Sequence, residues 1–207
     1  TCFKNSIPVC VFFSEIRGQK TEIKVKTNSI AVAGTHGKTT TCTMLAHILQ
    51  EAGKQSTAFL GGISKNFNSN LLLANKGNIL IVEADEYDRS FLHLNPDVAI
   101  ITSIDKDHLD IYEDYSKLKQ AFIQFTQQIK QNGLLLVEAD INVVFEPPEN
   151  GALLTYSNHK KADYYADNIK IVNGKMRFDM TVLDLSPGMT YKNQQNNLEL
   201  KKDTIRP

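Results

Sequence analysis

Ala31-Val32-Ala33-Gly34-Thr35-His36-Gly37-Lys38-Thr39-Thr40 is an apolar run that enters glycines, a lysine and paired threonines just where helical periodicity begins. This is phosphate-loop chemistry. Gly34 and Gly37 let backbone N–H groups turn inward on an anion, and a helix N-terminus adds partial positive charge behind them. Lys38 is placed to reach β- and γ-phosphates, and Thr39 offers a hydroxyl to magnesium. The commoner pattern G-x-x-x-x-G-K-[ST] would put glycine at position 32, where Val32 stands. The loop is therefore a tighter G-x-x-G-K-T-T form, and Gly34, Thr35, His36, Gly37, Lys38, Thr39 and Thr40 form the expected nucleotide cradle. For His36 a packing or hydrogen-bonding place in the loop is the expectation, rather than catalysis.

Outward from this loop, short apolar runs alternate with helical stretches. Ile30 to Ala33, Thr57 to Leu60, Ile79 to Val82, Val98 to Thr102 and Gly133 to Val137 read as buried strands. Thr40 to Ala52 reads as a helix with Cys42, Leu45, Ile48, Leu49 and Ala52 on its buried face, stopped by Gly53. Tyr115 to Lys130 reads as a second helix, capped by Asp114 and burying Leu118, Phe122, Phe125 and Ile129. Strand, helix, strand implies an α/β fold of the phosphate-loop nucleotidase kind, with a mostly parallel sheet and flanking helices. After Pro147, Leu153 to Tyr156 is one more strand. Tyr164 to Val172 and Met176 to Leu183 then flank Asn173-Gly174 as a two-residue hairpin, a small C-terminal β extension.

Three units are expected along the chain: 1–28 as a remnant or linker of a preceding domain, 29–185 as the nucleotide-binding domain, and 186–207 as a poorly ordered, Asn-, Gln- and Lys-rich tail. The start at Thr1, with no basic segment and apolar run behind it, reads as a cut piece with no secretory signal. The 207 residues carry 23 basic and 23 acidic side chains, so no basic stripe marks a nucleic-acid partner. No apolar run approaches the roughly 20 residues of a spanning helix. Cys2, Cys10 and Cys42 are odd in number and form no C-x-x-C pair, which suggests a reducing, cytoplasmic compartment.

Two more strand ends carry chemistry. Ile79-Leu-Ile-Val-Glu83 delivers a carboxylate where a nucleotide's magnesium would sit, and Asp85, Glu86 and Asp88 after it read as a solvated acidic loop. Val98 to Thr102 leads into Asp105-Lys-Asp107-His108-Leu-Asp110, a histidine among carboxylates. If the strands are parallel, Thr39, Glu83 and His108 share one sheet edge, where open α/β sheets bind ligands. His108 is then a metal or phosphate-site residue, while His47, His93 and His159 are expected to be structural.

Gly34 to Thr40, Phe59-Leu-Gly-Gly-Ile-Ser-Lys-Asn-Phe-Asn-Ser69, Glu83-Ala-Asp-Glu-Tyr-Asp-Arg-Ser-Phe91 and Asp107-His-Leu-Asp-Ile-Tyr112 together resemble the central ATPase domain of the Mur ligases. The resemblance runs from about Ser29 to Leu183. It implies that Lys38 and the loop hold ATP, that Thr39 and Glu83 bind one Mg2+, and that His108 helps to hold a second, making Lys38, Glu83 and His108 the catalytic set. It also implies an acid:amino-acid ligase that works through an acyl phosphate in peptidoglycan synthesis. The alanine-adding branch, with UDP-N-acetylmuramate and L-alanine as substrates, is the best match. Many relatives carry a carbamylated lysine on the second helix, and Lys119-Gln-Ala-Phe-Ile123 offers none near Phe122.

The family's N-terminal UDP-sugar domain and C-terminal domain are expected to be missing here, since residues 1–28 hold a single glycine, Gly18. Asn193 and Asn196 have the spacing of the family's adenine contact, in a stretch that does not continue as its helix does. Three other readings stay open. They are the murein tripeptide-recycling branch, a nucleotide-binding fragment without catalysis, and a switch GTPase or kinase-like NTPase, for which Asn75-Lys-Gly-Asn78 resembles N-K-x-D but has Asn78 in place of Asp and lies before the Glu83 strand.

Overall fold

In the computed structural model the described residues are 28–74, 78–87, 89–106, 112, 114–183 and 200–201. Among the described residues ten strands form one sheet: β1 (Asn28–Ala33), β2 (Ser56–Ser64), β3 (Ser69–Leu72), β4 (Ile79–Glu83), β5 (Val98–Ile101), β6 (Leu134–Glu138), β7 (Ala152–Ser157), β8 (Tyr164–Val172), β9 (Lys175–Val182) and β10 (Leu200–Lys201). Their order across the sheet is β10-β9-β8-β7-β6-β5-β1-β4-β2-β3. Pairing from β2 through β8 is parallel, and only β3, β9 and β10 add antiparallel edges. The expected α/β architecture is therefore present. β1 is central: the chain leaves it toward β2 on one side and crosses from β4 to β5 on the other, so β1 borders the switch point of the topology.

Alternation along β1 explains the two cores. Ala31 and Ala33 face one side, with Phe91, Leu118, Phe122 and Phe125, while Val32 faces the other, with Cys42, Ala46, Ala58, Leu60 and Ile81. Helix α1 (Lys38–Glu51) covers the second face and α2 (Tyr115–Thr126) the first. The Phe91 ring stacks on Phe125 at 5.1 Å and meets Phe122 edge-on at 5.4 Å, arrangements that suit the ring quadrupoles.

The structure corrects several local expectations. α1 begins at Lys38, two residues earlier than expected, because Gly37 adopts a left-handed φ of 82° and the Thr41 N–H closes the first turn on the Gly37 carbonyl. Its buried stripe is Cys42, Thr43 and Ala46, while Leu45 and Leu49 are half-buried and Ile48 and Ala52 are exposed. Small side chains let this helix lie close to the sheet, so the larger apolar residues splay to its flank. α2 stops at Thr126, four residues short of the expected Lys130, although Ile129 remains buried beyond it. The Asp114 cap is as expected, with its carboxylate accepting from the N–H groups of Ser116 and Lys117. The Asn173-Gly174 hairpin has φ of 52° and 73°, both positive as a type I′ turn requires. β3, an edge strand of sequence Ser69-Asn-Leu-Leu72, was not expected.

Asn28, placed with the leading segment, pairs with Ile79 as the first residue of β1. Residues 1–27, with Cys2 and Cys10, lie outside the described residues, as do 184–199 and 202–207 with Asn193 and Asn196. Among the described residues no helix is long and apolar enough to cross a membrane.

Asp97 fastens the entrance of β1 to the end of β5's lead-in. One carboxylate oxygen accepts from the Ser29 N–H at 2.7 Å, the Ser29 hydroxyl at 2.8 Å and the Lys130 ammonium at 2.8 Å. Partial burial works to raise its pKa, but the Lys130 and Ser29 hydrogen bonds outweigh that and hold it below its ordinary value. A depressed folded pKa means the stabilisation is present above the unfolded carboxylate range and is lost as pH falls through the folded value. Asp97→Ala is thus expected to lower unfolding free energy by about 1–3 kcal/mol at pH 7, with the difference shrinking toward pH 3. Urea titrations of both proteins at the two pH values measure this.

Candidate functional site

Three loops meet at the carboxyl ends of the central strands: Gly34–Gly37 after β1, Ala84–Tyr87 after β4 and Thr102–Asp105 after β5. The register brings them together, because Val32 lies beside Glu83 on one side and Ala33 beside Ile101 on the other. Gly34 sits at φ 141°, and a Cβ there would stand 2.1 Å from the Thr102 hydroxyl and 2.8 Å from the Ser103 nitrogen. Only glycine fits against the β5 loop.

That loop braces the phosphate turn. The Thr35 N–H donates to the Ser103 carbonyl at 3.1 Å and the His36 N–H to the Ser103 hydroxyl at 2.9 Å. The Thr102 hydroxyl donates to the carbonyl of Ala33 at 3.1 Å and lies 2.6 Å from that of His36. Thr35 is buried, and its hydroxyl shares a hydrogen bond with Ser103 and accepts from the Asp105 N–H at 3.0 Å. The two amides between the glycines are thus engaged by Ser103, while Lys38, Thr39 and Thr40 form the first turn of α1. The His36 ring projects outward, with Nε2 3.7 Å from an Asp105 oxygen, so its side chain is not packed into the loop.

Thr39 and Glu83 come together as expected. The Thr39 hydroxyl donates to one Glu83 oxygen at 2.9 Å, and the Gly61 N–H donates to the other at 2.6 Å. A Cβ on Gly61 would stand 2.5 Å from that carboxylate, so β2 runs past the edge as a backbone shelf under Glu83. An alcohol and a carboxylate side by side are oxygen donors suited to a hard divalent cation. With an ammonium and a helix N-terminus beside them, the residues present fit a magnesium–polyphosphate group.

Glu86 departs from expectation. Rather than a solvated loop residue it is fully buried, and its two oxygens take the Lys38 ammonium at 3.0 and 2.8 Å. The Gly34 carbonyl accepts from the same ammonium at 2.8 Å. Asp85 matches the solvated reading: it is exposed, and its carboxylate accepts from the Tyr87 N–H within its own loop. The buried hydroxyl of Tyr112 donates to the Glu86 carbonyl, and the Arg89 guanidinium lies 5.1 Å from the Tyr112 ring centre. His108, with Asp88, Asp107 and Asp110, lies outside the described residues, as do Asn75, Lys76 and Gly77.

Of the other expected structural histidines, His47 approaches the Phe67 ring at 6.5 Å on the α1 side. His159 pairs with Asp140 at 2.6 Å, and Glu138 brings a third ligand atom to that group. Beneath the site Cys42 is buried; burial and the Glu83 charge push its thiol well above its usual range, against the weaker pull of Lys38. It is an inert packing residue.

The sequence profile of the Mur ligase middle domain matches residues 32–198. The UDP-N-acetylmuramate–L-alanine ligase of Parabacteroides distasonis is 47% identical over 158 residues, covering 76% of this chain and 34% of the relative. The enzyme of the same name from Christiangramia forsetii is 43% identical over 185 residues, covering 89% of this chain and 37% of the relative. Among solved structures, the UDP-N-acetylmuramate–alanine ligase of Thermotoga maritima superposes with a TM-score of 0.64 at 27% identity, over 84% of this chain and 36% of that one. The chain thus spans little more than a third of the length of the relatives it matches.

Proposed function

Because the chain belongs to the Mur ligase family, we propose that it is the ATP-binding middle unit of a ligase that joins L-alanine to UDP-N-acetylmuramate. The observation that carries this reading is the meeting of Lys38, Thr39 and Glu83 at the carboxyl edge of β1 and β4, on loops that share the family's middle-domain profile. Support for alanine as the added amino acid comes from relatives above 40% identity that bear that activity in their names. Phe122, fully buried against Phe91, leaves no lysine at the place where other branches carry a carbamylated one.

A carboxylate is a poor electrophile until its oxygen leaves as phosphate. Bound ATP would supply the γ-phosphoryl group to the sugar acid's carboxylate, and alanine's amine would then displace phosphate from the acyl phosphate. In that scheme Lys38 takes the β- and γ-phosphate oxygens, and Thr39 with Glu83 holds Mg2+. Fixed positive charge where the transferring group becomes more anionic is the main contribution such a site makes. His108, by the family likeness, holds a second metal ion. Residues 1–27 would belong to the sugar-nucleotide side of the enzyme, while the residues up to 198 share the middle-domain profile.

Calorimetric titration with Mg-ATP tests the reading. Binding is expected for the native chain, and Glu83→Gln is expected to weaken it by about tenfold or more by removing one metal ligand. Unchanged affinity in that variant would remove Glu83 from the metal site. For the whole enzyme, phosphate release from ATP should require both UDP-N-acetylmuramate and L-alanine.

A further inference from the structure

At the carboxyl ends of β6 and β7, along the sheet edge from the phosphate turn, Glu138, Asp140 and His159 bring three ligand atoms within 4.8 Å of one another. They are of two kinds, one imidazole nitrogen and two carboxylate oxygens, and phosphoryl transfer gives them no task. Both loops are ordered around them. The hydroxyl of the buried Ser157 accepts from the His159 and Lys160 N–H groups at 3.3 Å, which fixes the turn that presents the imidazole. On the other loop the Asp140 N–H donates to a Glu138 oxygen at 2.6 Å, and the Ala139 N–H ties the loop to the Tyr156 carbonyl of β7 at 2.9 Å. The Lys160 ammonium donates to Asp140 Oδ1 and, at 2.8 Å, to the Ala139 carbonyl, so it turns Oδ2 toward the histidine.

The imidazole decides what joins these atoms. Its Nδ1 stands 2.8 Å from the Asn158 side-chain oxygen, which only accepts, so Nδ1 carries the hydrogen. A histidine held through its far nitrogen in this way is the usual form of a metal ligand. In the neutral ring Nε2 then offers a lone pair, and it faces Asp140 Oδ2 at 2.6 Å. A cation has to relieve that contact. A proton joins two acceptors, whereas Glu138 supplies a third, and a metal ion uses all three. We infer that Glu138, Asp140 and His159 bind a divalent cation of the zinc class, a clip between the β6 and β7 loops that is separate from the Thr39 and Glu83 pair. One nitrogen and two oxygens suit zinc, while magnesium prefers oxygen alone and keeps its waters. Bonds of about 2.0–2.2 Å set the ligand atoms roughly 3–4 Å apart, so shifts of about 1 Å or less close the site. Asp140 and His159, each about half exposed, have the freedom to make them, and solvent completes the coordination.

The test is calorimetric zinc titration of the native chain, His159→Gln, Glu138→Gln and His93→Gln. Cys2, Cys10 and His108 also offer zinc ligands, so the quantity read is the equivalent lost in each variant rather than the total. Native protein is expected to bind one equivalent more than His159→Gln. Glu138→Gln is expected to weaken that same equivalent by about tenfold or more, and His93→Gln to match native. About tenfold excess magnesium is expected to leave the equivalent in place. Glutamine keeps size and polarity at positions that are not buried, so all three variants retain the fold. A His159→Gln titration that overlays the native one, or loss of the equivalent to magnesium, would overturn the inference and leave Asp140, His159 and Lys160 as an ion-pair cluster only.

Discussion

Replacing Lys38 by methionine is expected to weaken Mg-ATP binding by one to two decades and, at the same time, to destabilise the fold. The first effect follows from losing a charge-assisted contact to the phosphates, about 1.5–3 kcal/mol or one to two decades in affinity. The second is not evident from the loop motif, in which the lysine faces a ligand and its loss leaves folding nearly intact. In the structure its removal takes away the ammonium from which both oxygens of the fully buried Glu86 carboxylate accept. Breaking one side of a buried ion pair costs about 3–5 kcal/mol. The double variant Lys38→Met, Glu86→Gln is expected to recover most of that stability and none of the binding. Urea unfolding and calorimetric titration on the three proteins separate the two roles, and a single variant as stable as native would show that Glu86 finds another partner.

Gly34→Ala is expected to cost at least about 3 kcal/mol and to remove nucleotide binding with it, through overpacking and backbone strain together. The added methyl would fall 2.1 Å from the Thr102 hydroxyl, which cannot simply turn away because it is tied to the carbonyls of Ala33 and His36. Gly37→Ala is the control. Its φ of 82° is also left-handed, yet the nearest atom to a new Cβ is 4.0 Å away, so only the backbone cost of about 1–2 kcal/mol applies. Thermal midpoints that place Gly34→Ala no lower than Gly37→Ala would contradict this account.

Lys38, Thr39 and Glu83 were legible because each is set by local pattern: a glycine turn at the end of one apolar run, a carboxylate at the end of another, and parallel pairing that aligns the ends. Glu86 was not. An acidic residue between Asp85 and Asp88 carries every sign of a solvated loop, and what buries it is Lys38 from 48 residues away and Tyr112 from 26. Such long-range pairing leaves no periodicity in the chain. The α1 face failed for a related reason: helical spacing marks which residues share a face, but how closely the helix approaches the sheet is set by Cys42, Thr43 and Ala46 against Val32 and Ile81. β3 escaped notice because four residues, two of them polar, are too few to show alternation.

The place of β1 between β4 and β5 has a consequence for how the protein is made. A ribosome delivers the chain from its amino end, so β1, the phosphate turn and α1 emerge well before either strand that flanks β1. The nascent chain then holds the full motif but no loop, since Ser103 and Thr102 brace the turn and Glu86 holds its lysine only after Ile101 and its successors have left the exit tunnel. Until that moment β1 keeps at least one bare edge, which is the interval in which chaperone capture or mispairing with another chain competes with correct assembly. Slow translation between the emergence of α1 and that of residues 102–105 would lengthen that wait.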